Sequence, residues 1–187
     1  MPRQIDVDML FETIVAVFAE RGYQACTTQE IARRSGVNEA TLYRRFGDKA
    51  ALVNQALTRA LTGSPFTRLK ITNDLVADLT LLVGAYADSV EQHGGAVLTL
   101  LTDMPRHPEL REAMDVLTPN MRNAAQVIAA HQNQGRLSAG DPLRMVTTLL
   151  APLMAAGLWH RAGYPALGSG EDPAHVVASF LEGHRLS

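Results

Sequence analysis

One cysteine, two lysines among 17 basic residues and 5% aromatics are what this 187-residue chain has least of. With Cys26 alone, no intrachain disulfide can form, which fits a reducing cytoplasm. So few aromatic rings speak against a large planar cage for a cation. No apolar run reaches the roughly 18 residues of a membrane span, and Met1 to Asp6 lack the apolar stretch of a signal peptide. No membrane partner is expected. Motifs of catalysis are missing too. There is no glycine-rich phosphate loop, no His-Glu-x-x-His, no cysteine pair for zinc and no Gly-x-Ser-x-Gly. A di-iron bundle takes paired Glu-x-x-His motifs; Asp172-Pro173-Ala174-His175 is a lone relative and reads better as a helix cap. The six histidines form no ligand cluster. Neither an enzyme, a metal site nor a cofactor is expected.

What is present is a packable, helical chain. Hydrophobic residues make up 47% and charged ones 19%, as in a globular protein. Net charge is −2, unevenly spread: residues 1–60 carry +1, the remainder −3, and Thr27 to Lys49 a local +2. Period-two alternation is absent, while helical spacing recurs throughout. Leu10, Ile14, Val17 and Phe18 mark a first helix from about Asp6 to Arg21, with Gly22 as its left-handed stop. Thr27-Thr28-Gln29-Glu30 predicts a capping box, Glu30 reaching back to the cap amide. The second helix ends before Gly36, a third starts near Asn38, and Asp48 caps a fourth. Gly63-Ser64-Pro65 is the predicted boundary, giving domains 1–62 and 63–187. Beyond it a long helix should end near Gly94-Gly95, and a short one follows to Asp103. A stripe from Leu110 to Ile128 predicts another helix, bent at Pro119. Asp141-Pro142 and Asp172-Pro173 open the last two. The reading is all-α, about nine helices: a three-helix head and a larger helical body.

Function concentrates in Thr27 to Lys49. Two short helices around a glycine make a helix-turn-helix. Ile31, Ala32, Val37, Leu42 and Phe46 face inward, so Glu39, Ala40, Thr41, Tyr43 and Arg44 or Arg45 take the opposite face. A short helix with small residues at its start can enter a major groove about 12 Å wide. The helix opening at Thr27 points free amides outward, suited to phosphate. Tyr43 could donate to phosphate as well, and Lys49 sits on the fourth helix's first turn. Helix pairs also occur in any all-helical protein, so a protein-binding bundle stays open as the other reading.

Arg21-Gly22-Tyr23, the cap from Thr27 to Ala32, and the run from Gly36 to Leu52 (Gly-Val-Asn-Glu-Ala-Thr-Leu-Tyr-Arg-Arg-Phe-Gly-Asp-Lys-Ala-Ala-Leu) closely resemble the DNA-binding head of the TetR family of bacterial regulators. Residues 6–57 carry the likeness. It implies an all-α homodimer bound to double-stranded operator DNA. It also implies a small-molecule effector in the body and pairing through the last two helices. Thr27, Thr28, Tyr43 and Lys49 would then meet phosphates. Gln29, Asn38, Glu39, Ala40, Thr41, Arg44 and Arg45 would meet bases or nearby backbone. Glu39 departs from the Lys, Gln or Ser commoner at its position. A carboxylate there would repel phosphates unless it accepts from a cytosine N4 or pairs with an arginine. Repression relieved by effector is the expected polarity.

The body offers physical hints only. Ala151, Ala155, Ala156 and Gly157 permit close helix approach, and Val176, Val177, Phe180 and Leu181 could complete a self-complementary face or fill the chain's own core. Tyr86, His93, Met121, His131, Trp159 and His160 interrupt apolar stripes and are the candidates for ligand contact, with core or surface roles as the alternative.

Overall fold

Helices in this chain begin where a short polar side chain can take a free amide. Asp6 accepts from the Met9 amide at 3.1 Å and starts α1, Val7–Ala25. Thr27 does the same for Glu30 at 3.1 Å ahead of α2, Thr28–Ser35. Asn38 serves Ala40 at 2.9 Å before α3, Glu39–Phe46. Asp48 serves Ala51 at 2.8 Å before α4, Lys49–Leu61. Then come a 3-10 turn at Pro65–Arg68, α5 at Leu75–Asp103, a second 3-10 turn at Pro108–Leu110 and α6 at Arg111–Asp115. Three helices follow: α7 at Thr118–Asn133, α8 at Pro142–Arg161 and α9 at Pro173–His184. This is the computed structural model of the chain, which describes residues 5–164 and 172–186. Met1 to Gln4, part of the leader reading, lie outside the described residues. The described residues form nine α-helices, and the fold is all-α.

Gly22, at φ 73° and ψ 171°, does interrupt α1, and one more turn forms beyond this kink, to Ala25. Three other local expectations are corrected. The capping box is half made. The Thr27 amide donates to Ala25 O at 3.0 Å, and Glu30 turns to Arg33 and Arg34. Gly94-Gly95 does not end a helix: α5 runs through both, because glycine in a helix costs only about 1 kcal/mol and apolar contacts continue beyond it. Pro119 does not bend one long helix. A turn at residues 116–117 separates α6 from α7, and Pro119 falls in the first turn of α7, where a missing amide hydrogen costs nothing.

The described chain separates into two compact units. One comprises residues 1–63 and 93–117, the other 64–92 and 118–187. In the first, Leu10, Ile14 and Phe18 of α1 meet Ile31, Leu42, Leu52 and Leu57, and Leu100 and Leu110 join the same core. In the second, Leu79, Leu82, Ile128, Val146 and Leu149 form the centre. Val176, Val177, Phe180 and Leu181 are buried there as well, which assigns them to the chain's own core and not to a face for a second copy. α8 keeps an apolar surface: Leu143, Leu158 and Trp159 are about half exposed. By length and composition α8 could cross a membrane.

Candidate nucleic-acid interface

The helix-turn-helix is built by one permissive residue and one packed seam. Gly36 closes α2 at φ 70° and ψ 9°, a backbone that a Cβ disfavours. Ile31 and Leu42 are fully buried across the turn, fixing α3 against α2. That leaves Gln29, Asn38, Ala40, Tyr43, Arg44 and Arg45 exposed, with Glu39 and Thr41 half-buried. All lie on α2 and α3 or their caps.

At the start of α2, Thr27 is exposed and its oxygen accepts the Glu30 amide, so its hydroxyl hydrogen is left to donate. Asn38 likewise spends its carbonyl on Ala40 and keeps its amide hydrogens. Thr28 differs. It is buried, and its hydroxyl donates to Glu39 Oε1 at 2.5 Å with Tyr43 Oη 3.1 Å away. A phosphate could reach its main-chain amide, not a spare hydroxyl hydrogen. Glu39 therefore pairs with no arginine among the described residues; its protein partner is a threonine.

Charge is sorted between the two helices. Hydrogen bonds from Arg33 and then Arg34 hold the Glu30 carboxyl down at about 2. Arg34 also pairs with Glu20 at 2.8 Å, and Arg21 approaches Glu30 at 3.4 Å. The arginines of α2 are thus largely neutralised by their own neighbours. On α3, Arg45 lies with its guanidinium 5.5 Å from the Phe46 ring centre, and Arg44 has no ion pair among the described residues. Lys49 is half-buried. Its ammonium donates to Tyr23 O at 2.8 Å and Gln24 O at 3.3 Å and sits 4.1 Å over the Tyr23 ring. It caps the end of α1, and one of its three donors remains for a phosphate. Burial, with Glu109 and Asp48 nearby, pushes the Tyr23 hydroxyl up to about 12.

Sequence reasoning passed over two polar groups in this unit. Asn54 on α4 is buried; its amide donates to Glu109 O at 2.6 Å and its oxygen accepts the Ala113 amide at 3.1 Å. Asp103 accepts the Tyr23 amide at 2.6 Å, and its Oδ2 lies 3.0 Å from where a Cβ on Gly22 would stand. A lone asparagine inside the α4 apolar stripe was the available signal for the first. Nothing local signalled the second.

The six body candidates are not gathered into one place. In the second unit, Tyr86 and Met121 are partly buried against the core. His131 is fully buried, its Nε2 2.9 Å from Asp78 Oδ2. Trp159 and His160 are exposed, and Trp159 meets Tyr164 edge-on at 6.0 Å. His93 belongs to the first unit and burial lowers its pKa. A cleft of about 520 Å³ in the second unit is lined by Asn73 to Val76, Gly135, Arg136, Arg185 and Leu186, and by none of the six.

Comparison with known proteins agrees with this geometry. Residues 10–56 match the family model for bacterial regulatory proteins of the tetR family, and residues 70–166 match that for the tetracyclin repressor-like C-terminal domain. YerO of Bacillus subtilis, named an uncharacterized HTH-type transcriptional regulator, is 24% identical over 94% of this chain, which spans 62% of that relative. The transcriptional repressor KstR2 of Mycobacterium tuberculosis is 33% identical over 50% of this chain and 48% of its own length. A solved putative regulator from Saccharomonospora viridis, crystallised with choline, shares the fold at TM-score 0.75 and 21% identity, covering 98% of this chain and 100% of that one. With a helix-turn-helix of the right geometry and a C-terminal match over more than half its length, the chain belongs to the TetR family of bacterial regulatory proteins.

Proposed function

We propose that this chain is a homodimeric transcriptional repressor that holds operator DNA through α2 and α3 and leaves it when a small effector binds. The observation that carries the reading is the surface of α2 and α3. Thr27, Gln29, Asn38 and Tyr43 offer hydrogen-bonding groups and Arg44 a cation with no ion pair among the described residues, while the opposite faces are sealed in a core. Thr27, Thr28 through its amide, Tyr43 and the third donor of Lys49 are assigned to phosphates. Gln29, Asn38, Glu39, Ala40, Thr41, Arg44 and Arg45 are assigned to base edges or adjoining backbone. Residues 1–62 then form the DNA-binding domain and 63–187 the effector and dimerisation domain.

Pairing is proposed through the last two helices, although the apolar side of α9 is spent on the chain's own core. Of the two, α8 supports the reading by its exposed Leu143, Leu158 and Trp159, with Ala151 and Ala155 exposed on the same helix. Such a face is what an isologous contact buries. It also gives α8 a role in a cytoplasmic protein without a membrane. For the effector, Tyr86 and Met121 at the edge of the second core are the residues we carry forward. An effector shifts the DNA-bound population only by its differential affinity for the two states.

The test is a salt titration of binding to the chain's own upstream region, with a random duplex as control. A footprint on a palindrome, with affinity falling steeply as salt rises, supports the reading. Binding that ignores sequence and salt, or its absence after genome-wide selection, turns the case towards a protein partner.

A further inference from the structure

The hydrogen bonds between α2 and α3 leave their protons in only one arrangement. Thr28 has a single hydroxyl hydrogen, and the Glu39 carboxylate can only accept. At 2.5 Å that hydrogen belongs to Glu39 Oε1. Tyr43 Oη, 3.1 Å from the same threonine oxygen, must then be the donor to it. The chain of donation therefore runs from Tyr43 to Thr28 to Glu39. Thr28 is buried with a β-branched side chain of few rotamers, so it holds one carboxylate oxygen in place. The other, Oε2, takes no hydrogen bond among the described residues. Glu39 is the first residue of α3, where the helix dipole favours a negative charge.

Resting on the DNA-binding function proposed above, we infer that Glu39 is a specificity-determining residue. Thr28 and Tyr43 pre-position it as a fixed anionic acceptor that admits a base-edge amino group, cytosine N4 ahead of adenine N6, whose neighbouring N7 acceptor repels the carboxylate. It penalises guanine and thymine, which offer no donor there. A fixed acceptor has no hydrogen to offer a base-edge carbonyl or N7, and its charge disfavours any duplex that supplies no donor to it. Tyr43, its hydrogen committed to Thr28, supports this reader; to donate to a phosphate it must first release Thr28. The acidic residue that opens α3 thus serves discrimination, at the expense of general affinity.

The experiment uses the full chain and two variants. Operators are selected from a random duplex library with wild type, Glu39→Gln and Thr28→Val, and affinities are then measured for the selected operator, its cytosine-substituted form and a random duplex. Wild type should require a C·G pair at one position in each half-site. Glu39→Gln, which can donate as well as accept, should lose that preference by about tenfold and gain on the random duplex. Thr28→Val keeps every charge, so its salt dependence should match wild type while the same base preference weakens. Unaltered helicity qualifies both variants. Identical base preferences in wild type and Glu39→Gln overturn the inference, and so does a Thr28→Val variant as selective as wild type. A wild-type chain that distinguishes no duplex from random removes the DNA-binding function itself and this inference with it, a result separable from either variant outcome.

Discussion

The two compact units bury polar groups by different chemistry. In the first, Asn54 clasps main-chain groups of residues 109 and 113 with a neutral amide. In the second, the Asp78 carboxylate accepts from the Thr72 amide at 2.6 Å, the Thr72 hydroxyl at 2.8 Å and His131 at 2.9 Å. An amide clasp is indifferent to pH; a buried carboxylate is not. The fully buried joint of the DNA-reading unit is thereby neutral, its carboxylates Glu30, Glu39 and Asp103 being only partly buried, while the body carries an ionisable joint in its core. Breaking each joint in turn tests whether the contrast is real.

The largest effect should come from Asp78→Ala. It strips the acceptor from three donors at a site where Asp78 is 3% and His131 0% exposed. We expect a loss of about 3 kcal/mol in the denaturant midpoint analysis, since fully buried His131 loses its partner while exposed Thr72 can turn to water. Asn54→Ala should follow at about 2–3 kcal/mol, because two backbone groups lose their partner. If the Asn54 variant proved as stable as wild type, water would be replacing the clasp and the first unit would be less sealed than argued.

Acid should separate the units next. Burial alone would raise the Asp78 carboxyl, but the Thr72 amide and hydroxyl, and then His131, outweigh it and hold the group below its ordinary value. A folded-state pKa below the unfolded one means stability that is present above the unfolded value and lost as pH falls through the folded one. The midpoint should decline gently below pH ~6.5, where half-buried His93 resists its proton in the folded chain. It should drop further below pH ~4, with that second drop smaller in Asp78→Asn. An equal drop in that variant would place the acid sensitivity elsewhere.

These joints also mark where the sequence stops being readable. The caps at Asp6, Thr27, Asn38, Asp48, Asp141 and Asp172 sit within three residues of the amides they serve, so local pattern suffices to find them. Asp78 and His131 are 53 residues apart, and no local periodicity pairs them. The same holds within the interface. The exposed face of α3 follows from helical spacing, yet the clasp of Glu39 by Thr28 depends on how Gly36 turns one helix against the other. The effector-contacting residues are the least legible, because an apolar stripe interrupted by Tyr86 or Met121 reads the same whether it lines a pocket or packs a core.

A cap offers a smaller and sharper comparison. Thr27→Ala removes the oxygen that accepts the Glu30 amide, at a cost of about 1 kcal/mol in stability. The same hydroxyl is assigned to a phosphate, so operator affinity should fall by more than that loss of stability explains. Thr27→Ser restores both. A variant that loses stability but binds the operator like wild type would confine Thr27 to capping.

The smallest effect belongs to Cys26, the chain's only thiol, set immediately before that cap. It is fully buried in the core of the first unit. Burial pushes its thiol up to about 11, against the opposing pull of Lys49 and Arg34. The thiolate is the reactive form, so at neutral pH almost none is available. A thiol reagent should therefore modify the native chain only as fast as the first unit opens, and quickly once it is unfolded. Cys26→Ala should cost about 1 kcal/mol for a small cavity and leave operator affinity within about twofold. Fast labelling of native protein, or peroxide that abolishes operator binding while helicity persists, would show that the first unit opens locally around α2 far more readily than its buried core implies.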